Sequence, residues 1–186
     1  MSALMTTILF SCGKVIAIDV SSEKLALAYS FEATNIINAL VCDPVQGIRL
    51  LKDGNGVDCL VKESVPPEVV EQAFASVRRH GGKCVFAAHP EEGKKISIDP
   101  YELICGKNIR GTWGGSSDPD RDVPLFAELH LAGKLPLEKL ITQRYRLEEI
   151  NSALDDLEAG KVGGPLIEID PAMCADKLSD EGDIVG

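Results

Sequence analysis

Asp19 and Lys24 are the first residues whose types and spacing suggest chemistry, and they lie in the stretch Gly13–Lys24, GKVIAIDVSSEK. Lys14–Ile18 is a short apolar run rich in Val and Ile, which predicts a buried strand. The run stops at Asp19, and Ser21 and Ser22 then offer N-caps for a helix reaching about Ser30. A carboxylate at the end of a strand, just before a helix, can accept from both the 2′- and 3′-hydroxyls of a ribose. It also repels a 2′-phosphate, and doubly wound sheets hold dinucleotides in this way. Lys24, one turn into the helix, is within reach of the same sugar. The pattern equally suits a plain capping aspartate, and both readings stand at this point.

Other reactive residue types have simpler explanations. Asp118, Asp120 and Asp122 alternate as calcium ligands would. Pro119 and Arg121 interrupt them and no EF-hand loop follows, so a solvated turn is expected. His80 reads as a contact to a helix C-terminus, His130 as a solvated helix residue, and His89 as a loop residue. Trp113 stands before Gly114–Gly115, a turn signal, and suits core packing better than a stacking platform. The Glu148–Glu149 and Asp155–Asp156 pairs fit exposed helix faces. The 6 cysteines are far apart, with no C-x-x-C and no matched histidine spacing. They read as small buried hydrophobes in a reducing cytosol, and no metal site is expected from this chain alone.

The chain has 186 residues and a net charge of −10. Such a surface attracts neither nucleic acid nor anionic membranes, so neither is expected as a partner. No apolar run of about eighteen residues is present, so no membrane span is expected. The N-terminus MSALMTTILF lacks a basic n-region and an A-x-A site, so no signal peptide is expected, and a cytoplasmic location is the expectation.

Strands and helices alternate as in a parallel α/β sheet. Ser2–Phe10 is helix-compatible, and Leu25, Ala28 and Tyr29 repeat at helical spacing. Thr34–Asn38 predicts a strand, Pro44–Lys52 a helix, and Val57–Val61 a third strand. Pro66–Pro67 opens a helix in which Val69, Val70, Ala73, Phe74 and Val77 form one apolar stripe, stopped by Gly81–Gly82. Lys83–Ala88 predicts a strand, Lys94–Ile98 a brief one, Pro100–Cys105 a helical turn, and Asn108–Trp113 a further strand. After Ser116 the expectation is a polar loop Ser117–Asp122, a helix Val123–Ala132 and a connector Leu135–Leu140. A strand Ile141–Arg146 follows, then a helix Leu147–Ala159 with Ile150, Leu154 and Leu157 inside, and a strand Pro165–Ile169.

The runs GKVIAIDVSSEKLALA, FEATNIINA, VRRHGGKCVFAA, LICGKNIRGTWGG and ITQRYRLEEINSALDDLEAGK, in this order, resemble the C-terminal half of the medium-chain, zinc-dependent alcohol dehydrogenases over roughly residues 1–170. By that resemblance Asp19 is the ribose carboxylate and Lys24 its accompanying lysine. His89 would lie where the backbone passes the nicotinamide ring, and Thr112 and Trp113 where backbone groups bind its carboxamide. The implied chemistry is hydride transfer between a small alcohol and NAD, with zinc polarising the alcohol oxygen.

The sequence departs from that pattern in several places. A G-x-G-x-x-G turn should precede the ribose acid by about twenty residues, which places it at or before Met1. Ser2–Met5 looks like the helix that follows that loop, so the first strand, the glycine loop and the zinc ligands are not expected in this chain. Glu32 stands where Gly is usual, Pro66 follows Val65 where Gly is usual, Lys62 looks like an extra residue, and Gly164 occupies the place of an Arg that meets the pyrophosphate. Without its first strand the sheet keeps unpaired edges and an apolar seam, and self-association as a homo-oligomer is expected there.

The expected fold is therefore α/β: a Rossmann-like parallel sheet lacking its first strand and Gly-rich loop, followed by a C-terminal helix–strand segment. Residues 1–115 would form the partial NAD-binding domain, 116–170 the segment that returns to a catalytic domain in the family, and 171–186 a disordered tail. The functional expectation is the cofactor-binding half of an NAD-dependent, zinc-type alcohol dehydrogenase, incomplete for catalysis by itself. The alternative is a non-catalytic relic or scaffold with weak or no nucleotide binding.

Overall fold

A computed structural model of the chain describes residues 2–10, 12–63 and 66–169. The expectation for residues 171–186 lies outside them. The chain forms two compact units, Met1–Leu129 and His130–Gly186.

The first unit opens with helix α1 (Ser2–Leu9), which buries Met5. Strand β1 (Ile16–Asp19) leads into α2 (Ser22–Ser30), capped when the Lys24 N–H donates to Ser21 Oγ. Leu25 and Ala28 are buried on α2 while Tyr29 faces water. The helix stops at Glu32, whose φ of 62° is left-handed. Glycine takes that conformation freely, whereas a glutamate there costs about 1 kcal/mol. The missing glycine in FEAT is thus visible as backbone strain.

Strand β2 (Asn35–Asn38) pairs with β1 in parallel. Helix α3 (Pro44–Leu51) starts on Pro44 with Asp43 accepting from the Gln46 N–H. It leads to β3 (Cys59–Lys62), α4 (Pro67–Ser76) and β4 (Lys83–Phe86). Helix α5 (Pro100–Ile104) is capped by Asp99, and β5 (Asn108–Gly111) completes a parallel order β3-β4-β5. The core is Ala73, Phe74, Val77 and Cys84, with Val57, Leu60, Ile98 and Ile109 packed against it. Burying a side chain such as Phe74 contributes about 1.5–3 kcal/mol.

The sheet is divided. Among the described residues β1 and β2 form one two-stranded sheet, and β3, β4 and β5 another of three strands. In a parallel ladder alternate residues turn both peptide groups to one neighbour. Asp19 O accepts from Ala39 and Lys62 O from Ala87. By alternation, Ile16 and Ile18 on β1, and Cys59 and Val61 on β3, turn theirs to the opposite edges, which have no ladder partner among the described residues. Val61 is 48% exposed, high for a residue in the middle of a parallel sheet strand.

Helix α6 (Pro119–Leu131) begins earlier than the sequence suggests, because Pro119 suits a first turn and Asp118 O accepts the Asp122 N–H. The acidic run is therefore a helix start, with Asp122 bound by the Arg121 guanidinium and the Asp118 N–H. In the second unit a 3-10 turn Leu137–Leu140 precedes β6 (Gln143–Arg146), and a 3-10 turn Leu147–Glu149 precedes α7 (Ile150–Glu158). Strand β7 (Pro165–Glu168) pairs with β6 in parallel, and α7 contacts both.

Several local expectations are corrected. Lys94–Ile98 forms no strand; the Ser97 N–H donates to a Glu71 carboxylate oxygen (2.7 Å) and Ile98 packs on the core. Ile150, Leu154 and Leu157 are exposed, and Ala153 is the residue of α7 that is buried. Helix α4 ends at Ser76 instead of running to Gly81, so His80 meets no helix end and sits in a turn, its N–H donating to Cys105 O. His130 is not merely solvated: its ring nitrogen lies 3.0 Å from Leu135 O and 3.5 Å from a Glu138 oxygen. Of the described cysteines Cys84 is buried, while Cys12, Cys42 and Cys59 are exposed. Among the described residues no helix is long and apolar enough to cross a membrane.

Candidate cofactor site

Ligands of open parallel sheets bind at the carboxyl ends of the strands. Five strand ends of the first unit supply residues there: Asp19 from β1, Asn38 from β2, Lys62 from β3, His89 after β4, and Thr112 with Trp113 after β5.

At the β1–β2 end, Asp19 Oδ1 accepts the Ser21 N–H at 2.9 Å, so half of the carboxylate fixes the turn into α2. Among the described residues Oδ2 has no partner. The capping and ligand readings are thus compatible, one oxygen for each. Lys24 sits one turn on with its side chain exposed. Asn38, in register with Asp19, folds its Oδ1 back to the Leu40 N–H and its Nδ2 toward Ser22 Oγ (3.4 Å). Sequence reasoning passed over Asn38, although a polar residue in register with the acid was the available signal.

At the β4–β5 end, the His89 and Trp113 rings meet with centroids 4.2 Å apart and planes at 53°. Trp113 is 81% exposed, which overturns its expected place in a core. The Thr112 N–H donates to Phe86 O, continuing the β4–β5 ladder, and Thr112 Oγ1 lies 3.1 Å from Ser116 Oγ. Gly114 and Gly115 both take left-handed φ, 52° and 72°, which turns the chain sharply after the tryptophan. The two clusters remain separate, with no hydrogen bond or ring contact between them among the described residues.

Lys62, which looked like a surplus residue, is buried at the end of β3. Its Nζ donates to Pro66 O at 3.4 Å, and burial lowers its affinity for a proton. Burial also raises the neighbouring Cys84 thiol to about 11, which makes it an inert core residue. A cavity of about 770 Å³ lies elsewhere, lined by Arg49, Gln72, Arg78, Arg79, Glu102 and Lys107. It includes none of the candidate residues.

The groups implied by the family fit unequally. A free carboxylate oxygen at Asp19 suits a ribose. Between Met1 and Asp19 the one glycine is Gly13, so that stretch holds no glycine-rich turn for a pyrophosphate. A side chain at Gly164 could not replace it in this packing, because a Cβ there would stand 2.1 Å from Leu140 O. Among the described residues no three His, Cys, Asp or Glu side chains converge as metal ligands. These residues do not fit zinc.

The family model of zinc-binding dehydrogenases matches residues 1–129. Alcohol dehydrogenase-like 5 of Arabidopsis thaliana is 31% identical over 151 residues, which is 80% of this chain and 39% of that protein. The class-2 isozyme 2 alcohol dehydrogenase of Oryctolagus cuniculus is 34% identical over 149 residues, again 80% and 39%. Among solved structures, benzyl alcohol dehydrogenase from Acinetobacter calcoaceticus superposes with a TM-score of 0.86 at 30% identity, covering 91% of this chain and 46% of that one. The chain thus spans less than half the length of these relatives. With a family model matching the whole of its first unit and parallel α/β architecture shared with solved alcohol dehydrogenases, this chain belongs to the zinc-binding, medium-chain alcohol dehydrogenase family.

Proposed function

We propose that this chain is the dinucleotide-holding part of an NAD-linked alcohol dehydrogenase. NAD supplies the hydride chemistry when bound. The chain's own task is to hold and orient it: Asp19 Oδ2 accepts from a ribose hydroxyl, Lys24 lies beside the same sugar, and His89, Thr112 and Trp113 flank the nicotinamide end. Oxidation of a small alcohol would further require zinc ligands and a substrate pocket from polypeptide outside this chain. The observation that carries the reading is the Asp19 carboxylate, at the carboxyl end of β1, with one oxygen fixed by Ser21 and the other free.

Titration of the purified chain with NADH, followed by cofactor fluorescence, tests it. Saturable binding is expected, weaker for NADPH because its 2′-phosphate meets Asp19. Asp19→Ala should weaken NADH binding about tenfold or more, the loss of a hydrogen bond to a charged acceptor. A second reading, a scaffold that folds without holding nucleotide, is favoured by the divided sheet. A folded chain that takes up no NADH would establish it.

The open edges at Ile16, Ile18, Cys59 and Val61 support self-association, since unpaired strand edges seek a partner. In sedimentation velocity the wild type is expected as an oligomer and Val61→Lys as a smaller species, because a charged edge blocks pairing. Identical profiles at equal concentration would refute that surface.

A further inference from the structure

The cavity of about 770 Å³ lies within the first unit, at the end of the sheet opposite the candidate cofactor residues. Its lining comes from segments that lead into the strands: Gly54, Asn55 and Gly56 ahead of β3, Arg78 and Arg79 ahead of β4, and Lys107 directly before β5. Four cations, Arg49, Arg78, Arg79 and Lys107, face three carboxylates, Glu71, Asp99 and Glu102. In a chain of net charge −10 that balance is locally electropositive.

The carboxylates are already engaged. Glu102 holds both Arg79 and Lys107, Glu71 accepts the Ser97 N–H at 2.7 Å, and Asp99 accepts the Tyr101 N–H at 2.9 Å. Arg78 is bound by Asp58, which stands outside the lining. Among the described residues the Arg49 guanidinium has no hydrogen bond or ion pair, and neither the Gln72 amide nor Arg79 Nη1 has a hydrogen-bond partner. The cavity thus holds spare donors without matching acceptors, and a guanidinium offers its donors as a planar fork that suits a carboxylate. Val45, Ala75 and Ile98 are half-buried and supply an apolar wall beside these donors. The volume is that of a site for a small organic molecule.

We propose that this cavity binds a small amphipathic carboxylate, its anionic end on Arg49 and Arg79 and its apolar body against Val45, Ala75 and Ile98. The site shares no residue with the dinucleotide site and does not depend on it. Arg49 stands on α3, Gln72 on α4 and Glu102 on α5, so an occupant ties three helices of the first unit together. A ligand that binds only the folded chain stabilises it by mass action, so occupancy also raises the Tm.

Calorimetric titration with benzoate at fixed ionic strength tests this, with benzamide as the neutral isostere and phosphate as an anion lacking an apolar body. Saturable benzoate binding is expected, with a Kd of about 1 mM for a ligand of this size. Benzamide should bind about tenfold more weakly, the loss of charge-assisted hydrogen bonds. Arg49→Gln should weaken benzoate by about the same factor and remove most of the rise in Tm. Arg49 has no partner to lose, so this variant keeps its fold, which circular dichroism checks. Gln72→Glu, which adds a carboxylate to the lining, should weaken benzoate as well. Asp19→Ala, at the other end of the strands, should bind benzoate as the wild type does. Absence of saturable benzoate binding overturns the site, as does equal binding of benzoate and benzamide. Phosphate binding tighter than benzoate overturns the amphipathic class of ligand. An unchanged benzoate affinity in Arg49→Gln, or a loss in Asp19→Ala, overturns the assignment to this cavity.

Discussion

Replacing Lys107 with alanine is expected to cost about 2–3 kcal/mol of folding stability, through lost hydrogen bonds and packing at its buried ammonium. Lys107 is 7% exposed, and its Nζ lies 2.9 Å from a Glu102 carboxylate oxygen. It also donates to Phe74 O and Ala75 O at 3.2 Å, closing the carboxyl end of α4, and stands 5.3 Å from the Phe74 ring centroid. Alanine leaves those carbonyls buried without a donor and a hole over Phe74, two costs that add. Lys107→Met keeps much of the volume, so it should recover part of the loss. Urea unfolding measured by circular dichroism gives the number, and a loss below about 1 kcal/mol would show that α4 and α5 are held by packing alone.

The same cluster fixes a pH dependence. Glu102 binds the Arg79 guanidinium and the Lys107 ammonium, and these hold its carboxyl down at about 2. A carboxyl with a lowered folded pKa contributes its stability in full above the ordinary carboxylate range. That contribution disappears as pH falls from about 4.5 toward 2. The wild type should therefore lose stability through this window more steeply than Lys107→Ala, in which Glu102 has already lost one cation.

These lysines mark where sequence reading stops. Strand β1 was legible because its Val and Ile run ends at an acid, and α3 and α5 because Asp-Pro pairs announce their caps. Glu32 was legible as the wrong residue for its place, and its left-handed φ agrees. Burial of Lys62 and Lys107 was not legible, since a lysine at a strand end reads as solvent-facing and only distant partners justify its burial. The carbonyls that receive Lys107 are 32 and 33 residues away in sequence. The His89–Trp113 contact has the same character: two loops set their separation, and no local pattern encodes it. Trp113, before Gly114–Gly115, reads as core packing, whereas the structure leaves it exposed. The residues of the candidate site are legible one at a time, and their grouping into two clusters follows the seam expected where the first strand is lacking.

Gly56→Ala is expected to destabilise the first unit by about 3 kcal/mol or more, through backbone overlap and not through conformational preference. A Cβ at Gly56 would stand 2.4 Å from Ser76 O and 2.5 Å from Arg78 N. Both belong to the segment leaving α4, and no rotamer change relieves a clash with main chain. That segment is tied to the start of β3, with the Val57 N–H donating to Ser76 O and the Arg78 N–H to Val57 O, each at 3.0 Å. Separating the strands to admit a methyl group breaks both bonds and lifts Val77, which is 2% exposed, out of the core. Gly54 in the same turn is the control, since it has φ of 84° and nothing within 4 Å of a built Cβ. Gly54→Ala should cost only the left-handed strain, about 1 kcal/mol. Equal losses for the two variants would mean that the turn's dihedral angles matter and the approach of Gly56 to the α4 exit does not. A much larger loss at Gly56 would identify that crossing as the point where β3 is locked to the core.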